Sequence, residues 1–338
     1  MNITVWGAGA IGGITGGALA RAGHDVLLVD VHEGHVAALK GDGLTVEDAR
    51  GDWHVPVRAA TPPEVQGPLG LVLLAVKAQA TPTALGQIVP HLTDASVMVS
   101  VQNGLNEELI AERIGAARTV GCLVNWAADW IAPGLVQFGG TGSFIVGELD
   151  GALTPRARDL ADLLSAVMRT GVTDNIWGCL WAKICLAALL FATALTDETV
   201  YDVVERPFPT QHMLVLLVAE AMAVAEASGV RLVAFDEYDP AFYQRGAAGD
   251  RAAVAEAMAA VARFYRRHTK VKTGVWRDLA VRKRKTEVDS QLGIVTAKAR
   301  RLGIATPLLD RLIAMINDLE SGRRSMGWEN LDDLVALT

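Results

Sequence analysis

Trp6-Gly7-Ala8-Gly9-Ala10-Ile11-Gly12-Gly13 decides how this chain is read. The apolar run Ile3–Trp6 leads into it with the texture of a buried strand, and Ile14, Ala18, Leu19 and Ala22 follow at helical spacing. A G-x-G-x-x-G between a strand and a helix predicts a dinucleotide at the helix N-terminus. Gly7 allows the tight turn, Gly9 lets the backbone approach a pyrophosphate, and Gly12 lets helix and strand pack closely. The first-turn amides, from Ala10, Ile11 and Gly12, are then available to the anion. A ligand-free glycine turn is the bland alternative, and the context argues against it.

The pattern continues correctly on the C-terminal side. Gly23-His24 reads as a turn, Val26–Val29 as a second strand, and Asp30 ends that strand 18 positions after Gly12. A carboxylate there accepts hydrogen bonds from an adenosine ribose and repels a 2′-phosphate. From Val31 to Leu39 there is no lysine or arginine, and His32 and His35 are the only candidate cations. NAD is therefore expected over NADP. Lys40 is the residue that would reach a phosphate and restore NADP.

Length and composition set the frame. At 338 residues the chain has room for about two domains, and a 51% hydrophobic content supplies their cores. A net charge of −7 argues against nucleic acid as a main partner. Three cysteines, Cys122, Cys179 and Cys185, show no disulfide pattern, which fits a reducing cytoplasm. No signal peptide precedes the first strand. The most apolar stretch, Ile184 to Leu195, is too short to span a bilayer and reads as a buried helix, so no membrane partner is expected. No metal-ligand motif is expected.

The first half alternates strand-like runs with helical patterns: Ile3–Trp6, Val26–Val29, Leu71–Val76, Ser96–Val101 and Arg118–Leu123. This alternation predicts a Rossmann-type parallel sheet with helices on both faces. A glycine-rich, hairpin-like stretch runs from Pro133 to Gly151, followed by a predicted helix from Pro155 to Thr170 and a short strand near Val172. Beyond Trp177 long Ala- and Leu-rich helical segments dominate, such as Met213–Ser228 and Asp250–His268. The expected fold is an α/β dinucleotide-binding domain over residues 1–172 and an all-α substrate domain over 173–338. The cleft between two such domains is the default place for an active site.

Four further features fall in order along the chain. Val76-Lys77 ends one predicted strand, and Gln102-Asn103-Gly104 ends another. Lys183 stands at the expected start of the buried helix, and Lys285-Thr286-Glu287-Val288-Asp289 lies late in the helical half. Taken singly, a lysine is usually a solvated side chain and Asn-Gly a turn. With the glycine motif, the ordered set resembles the ketopantoate reductase (2-dehydropantoate 2-reductase) family over nearly the whole chain.

The resemblance implies roles for particular residues. Lys183 matches the family's catalytic lysine, which gives the substrate's keto oxygen its proton. Glu287 matches the acid of the T-E-x-D motif that helps hold the substrate. Asn103 matches the asparagine beside the nicotinamide, and Lys77 the lysine after the cofactor-side strand. The chemistry has its own footing, because hydride transfer develops negative charge on a carbonyl oxygen and an ammonium both stabilises it and protonates it. Apolar surroundings such as Ile184–Leu195 ease proton loss from a lysine. Lys77 and Asn103 sit at strand C-terminal ends, where open α/β sheets place ligands.

The chain departs from the family pattern in two places. The asparagines one and two turns after the catalytic lysine are replaced by Ala187 and Phe191. Losing such partners should change which substrate is accepted, toward a bulkier or more apolar one. The late segment Lys272-Thr273-Gly274-Val275-Trp276-Arg277-Asp278 keeps one hydroxyl, at Thr273. The run Arg282-Lys283-Arg284-Lys285 reads as a solvated helix face, with Arg277 or Arg282 able to clamp a carboxylate. Trp276 is a candidate pocket wall. Arg266, Arg267, His268, Lys270 and Lys272 add local positive charge, which suits a small anionic substrate.

The resemblance implies an NAD(P)-dependent oxidoreductase acting between a 2-keto acid and its 2-hydroxy acid, with Lys183 expected as proton donor or acceptor. Alternatives on the same two-domain plan are a 3-hydroxy acid or opine dehydrogenase, or a dinucleotide sensor without catalysis. A sensor needs neither Lys183 nor Glu287. A homodimer is compatible with the sequence.

Overall fold

Residues 2–338 are described by a computed structural model of the chain. Twelve strands occupy the first half: β1 (Ile3–Trp6), β2 (Val26–Val29), β3 (Leu44–Asp48), β4 (Trp53–Val55), β5 (Arg58–Ala60), β6 (Leu69–Leu74), β7 (Leu92–Ser100), β8 (Thr119–Val124), β9 (Ala127–Ala132), β10 (Leu135–Gly140), β11 (Phe144–Glu148) and β12 (Gly171–Val172). Among them lie α1 (Ala10–Arg21), α2 (Glu33–Gly41), α3 (Thr81–Ile88), α4 (Asn106–Ile114) and α5 (Pro155–Leu164). The rest is helical: α6 (Ile176–Thr193), α7 (Val200–Val204), α8 (Thr210–Ala227), α9 (Pro240–Ala247), α10 (Arg251–Arg266), α11 (Gly274–Ala280), α12 (Val288–Leu302), α13 (Pro307–Glu320) and α14 (Glu329–Val335). The chain separates into two compact units, one ending at Ile176 and the next beginning at Trp177.

In the first unit the main sheet has the order β12-β11-β8-β7-β6-β1-β2-β5. Every neighbouring pair from β5 to β8 is parallel, and the only antiparallel pairing is β8 with β11, so that β11 and its parallel neighbour β12 run opposite to the rest. This is the doubly wound arrangement, and its strand order reverses between β1 and β6. Side chains alternate between two cores. Ile3, Val5, Leu71 and Leu73 enter the core on one face, whereas Trp6, Val72 and Leu74 enter the core on the other. The Rossmann-type reading of the fold therefore holds.

A second sheet, β4-β3-β10-β9, is not legible in the alternation of strands and helices. Its central pair joins distant segments in parallel, with Thr45 opposite Leu135. It covers the outer side of α1. A Cβ on Gly16 would lie 2.3 Å from Leu28 of the main sheet, and one on Gly17 would lie 2.5 Å from Leu44 of the small sheet. The glycines of α1 thus let one helix be gripped by two sheets.

Two predicted helices are cut short. α5 stops at Leu164 instead of reaching Thr170, because the Ser165 hydroxyl donates to the Ala161 carbonyl and accepts from the Thr170 amide. Such local side-chain bonds end a helix and turn the chain. The run Arg282-Lys283-Arg284-Lys285 is not a helix face at all, since α11 ends at Ala280 and Lys283 has φ of +47°.

In the helical unit, α8 is the hub, packed by α9, α10, α12, α13 and α14. Its Glu220 accepts the Leu308 and Leu309 amides at 3.0 and 2.9 Å, capping α13 from outside. α6 and α8 are long and apolar enough to cross a membrane by length and composition. Burial accounts for that character in α6, 78% of which is enclosed.

Candidate active site

The glycine loop follows β1 at the point where the sheet order reverses. Gly7 has φ of +100°, and a Cβ there would lie 2.8 Å from the Val76 amide nitrogen. A Cβ on Gly12 would lie 1.9 Å from the Gly7 carbonyl oxygen. Only glycine fits either position. Gly9 is different, because a Cβ there would meet nothing within 4 Å. It is the N-cap of α1 and offers no side-chain cap, so the amides of Ala10, Ile11 and Gly12 begin the helix without one. Open space at Gly9 before uncapped helix amides is what a pyrophosphate requires.

Asp30 lies beyond β2, beside this loop. Its Oδ2 accepts the Ala8 amide at 2.8 Å and its Oδ1 the His32 amide at 2.9 Å. Two of the expected cations are committed elsewhere. Lys40 lies 2.8 Å from both carboxylate oxygens of Glu64, and that ammonium holds the Glu64 carboxyl down at about 2. His35 is 1% exposed and its Nδ1 accepts the Gly134 amide at 2.9 Å, a bond only the neutral ring can make. Val31, next to Asp30, stands 73% exposed where a phosphate-binding arginine would be useful.

Lys77 and Asn103 each lie three residues past a strand end, those of β6 and β7. A buried network joins the two segments. The Gln102 carboxamide donates to the Val76 carbonyl and to the Thr81 hydroxyl, both at 2.8 Å. Thr81 donates to Asn106 at 3.0 Å, and Asn106 donates to the Asn103 carbonyl at 2.8 Å. Gln102 and Asn106 thereby fix the backbone on either side of the candidate residues. The following residue, Glu107, is wholly buried, and among the described residues no charged side chain pairs with its carboxyl. Burial pushes its carboxyl up to about 8.

In the helical unit, Lys183 is the only charged residue of α6. It is the eighth residue of that helix, not its first, because α6 begins at Ile176 in the segment Ile-Trp-Gly-Cys-Leu-Trp-Ala. Lys183, Ala187 and Leu190 are partly exposed and share one stripe at i, i+4 and i+7. Phe191 is 2% exposed and belongs to the core instead. Of the two departures noted in the sequence, only Ala187 shares a face with Lys183.

Glu287 is the N-cap residue of α12. The Thr286 amide and hydroxyl both donate to Glu320 at 2.7 Å, which ties this turn to the end of α13. A cavity of about 750 Å³ lies nearby, lined by residues that include Asp197, Trp276, Lys283, Arg284, Glu320 and Arg324. Trp276 is set by the Thr273 cap of α11 and donates its indole N–H to Asp197 at 2.8 Å. The Lys272 ammonium, 2.9 Å away, holds the Asp197 carboxyl below the usual carboxylate range. Arg284 and Arg282 fold onto the buried Asp278 at 2.9 and 3.5 Å, so the basic run is partly neutralised inside the loop.

A Rossmann-type sheet with an open glycine loop, followed by an all-helical domain, defines a two-domain pyridine-nucleotide oxidoreductase. The ketopantoate reductase PanE/ApbA model matches residues 3–151, and the PanE/ApbA C-terminal model matches 175–320. The chain belongs to the ketopantoate reductase PanE/ApbA family. It is 29% identical to the 2-dehydropantoate 2-reductase of Mesorhizobium japonicum, over 94% of this chain and 98% of that one. Among solved structures, the PanE/ApbA family ketopantoate reductase from Ralstonia eutropha JMP134 is 26% identical, with a TM-score of 0.78 covering 96% of this chain and 100% of that one. D-mandelate dehydrogenase, solved with NADH and anilino(oxo)acetate, shares the fold at 24% identity, with a TM-score of 0.82 covering 95% and 99%.

Proposed function

We propose that this chain interconverts a 2-keto acid and its 2-hydroxy acid with NAD(H), using Lys183 to exchange the proton. The observation that carries the reading is a lone lysine on the exposed stripe of an otherwise uncharged helix, in a chain whose other domain has an open glycine loop. When bound, the nicotinamide supplies or accepts the hydride. The chain's own residues do the rest. Gly7, Gly9 and Gly12, with the amides of Ala10 and Ile11, hold the pyrophosphate. Asp30 takes the ribose hydroxyls, and Lys77 and Asn103 border the nicotinamide side.

In reduction the Lys183 Nζ gives its proton to the keto oxygen as the hydride reaches the keto carbon. In oxidation the neutral amine takes the hydroxyl proton back. Glu287 orients the substrate. NAD is favoured over NADP because Asp30 would repel a 2′-phosphate, Lys40 is held by Glu64 and His35 is held neutral. Ala187 in place of a hydrogen-bonding residue favours a substrate bulkier or more apolar than ketopantoate.

The test is a panel of 2-keto and 2-hydroxy acids with both cofactors, followed at the nicotinamide absorbance. Lys183→Ala should lower kcat by roughly 10²–10⁴-fold while NADH affinity survives. Near-normal turnover would remove Lys183 from the reaction, and tighter NADPH than NADH binding would overturn the cofactor assignment.

A further inference from the structure

We infer that His35 is a positioning residue for the dinucleotide: its buried, neutral imidazole aims the Gly9 amide at the cofactor. This rests on the reading of the glycine loop as the pyrophosphate site. His35 lies on α2 and reaches back 27 residues, so that its Nε2 is 2.8 Å from the Ala8 carbonyl oxygen. Its Nδ1 accepts the Gly134 amide at 2.9 Å, in the turn between β9 and β10. An imidazole accepting at Nδ1 carries its proton at Nε2, so Nε2 donates to Ala8. Both ring nitrogens are satisfied, and the tautomer is fixed by the small sheet.

Peptide geometry gives this bond a consequence. In a trans peptide the carbonyl and the following N–H lie in one plane and point in opposite directions. His35 holds the Ala8 carbonyl toward the buried side, so the Gly9 N–H points the other way, away from His35, at a residue where an added Cβ would meet no atom within 4 Å. Asp30 holds the amide of the same residue, Ala8, at 2.8 Å. Ala8 is itself fully buried, so the two bonds clamp the loop from within, His35 on the carbonyl side and the ribose-binding Asp30 on the amide side. The small sheet, through Gly134, thereby supports the cofactor site from behind.

Asparagine and glutamine separate the two bonds of the ring. In His35→Asn the amide oxygen replaces Nδ1, keeping Gly134 and abandoning Ala8. In His35→Gln the amide nitrogen replaces Nε2, keeping Ala8 and abandoning Gly134. Binding of NADH is measured by tryptophan quenching, with steady-state kinetics and thermal unfolding on the same samples. His35→Asn should raise the Kd for NADH roughly tenfold, the loss of one buried hydrogen bond, and leave kcat at saturating NADH and the keto-acid KM within about twofold. His35→Gln should bind NADH within about threefold of the unsubstituted chain. The inference is overturned if His35→Asn binds NADH normally, or if both variants lose affinity in step with their Tm. Should the Asn variant not fold, a tenfold weaker Kd in the Gln variant overturns it alone. An unsubstituted chain that binds neither NADH nor NADPH would instead sink the dinucleotide reading itself.

Discussion

Gly9→Ala and Gly12→Ala, one methyl each on the same loop, should fail in different ways. At Gly12 the methyl would lie 1.9 Å from the Gly7 carbonyl and 3.0 Å from the Ala75 side chain. The Gly7 backbone on one side and the half-buried Ala75, one residue past β6, on the other cannot both yield. Overpacking of this kind costs about 1–3 kcal/mol, and a domain of this size loses roughly 2–4 °C of Tm per kcal/mol. Gly12→Ala should therefore lower Tm by roughly 2–12 °C and weaken NADH as well. At Gly9 the methyl meets no atom of the protein, and the residue has a negative φ. The slightly poorer N-cap and the reduced freedom of the unfolded chain nearly offset each other, so Tm should move by no more than about 2 °C. The methyl does occupy the space a pyrophosphate must enter. Losing one charge-assisted amide bond, about 1.5–3 kcal/mol, should raise the Kd for NADH roughly 10- to 100-fold. Isothermal titration with NADH beside differential scanning fluorimetry reads both quantities. A Gly9→Ala protein of normal stability that binds NADH as tightly as the parent would refute the placement of the cofactor.

Two further outcomes follow from other parts of the molecule. Glu107 has its carboxyl raised from 4.5 to about 8 by burial, so its contribution is intact below pH 4.5 and is lost as the pH climbs through 8. The cost reaches roughly 3 kcal/mol at neutral pH, and Glu107→Met should abolish it. Thermal unfolding from pH 5 to 9 should show the variant gaining on the parent by roughly 6 °C or more as the pH rises, and parallel curves would contradict burial as the cause of the raised carboxyl. Ala187→Asn returns a hydrogen-bonding group to the stripe that carries Lys183, so kcat/KM for ketopantoate should rise roughly tenfold or more relative to apolar 2-keto acids. No gain for ketopantoate would detach substrate choice from position 187.

The parts of the fold legible in the sequence are those whose signals are local. The glycine loop, β1, β2 and Asp30 lie within thirty residues, and the switch from a strand run to helical spacing marks each boundary. Lys183 stood out in sequence, but its helix began a turn and more earlier than expected. The segment Ile176 to Lys183 carries bulky tryptophans and a glycine that mask the helical period, and burial on nearly all sides removes the polar stripe that would reveal it. The basic run misled for the opposite reason, because its charges are spent on Asp278 and a solvated face was only the commoner use of such residues. Of the small sheet only the hairpin-like stretch from Pro133, which holds β10, was legible, and its pairing with β3 was not. β4 has three residues, and β3 finds its parallel partner about ninety positions away. That is also why the histidine beside the glycine loop looked like a candidate cation. Its Nδ1 is occupied by the Gly134 amide, 99 residues distant, and only the folded chain brings that donor to it. Local pattern therefore identifies the groups that touch the cofactor, whereas the groups that aim them are chosen by long-range pairing.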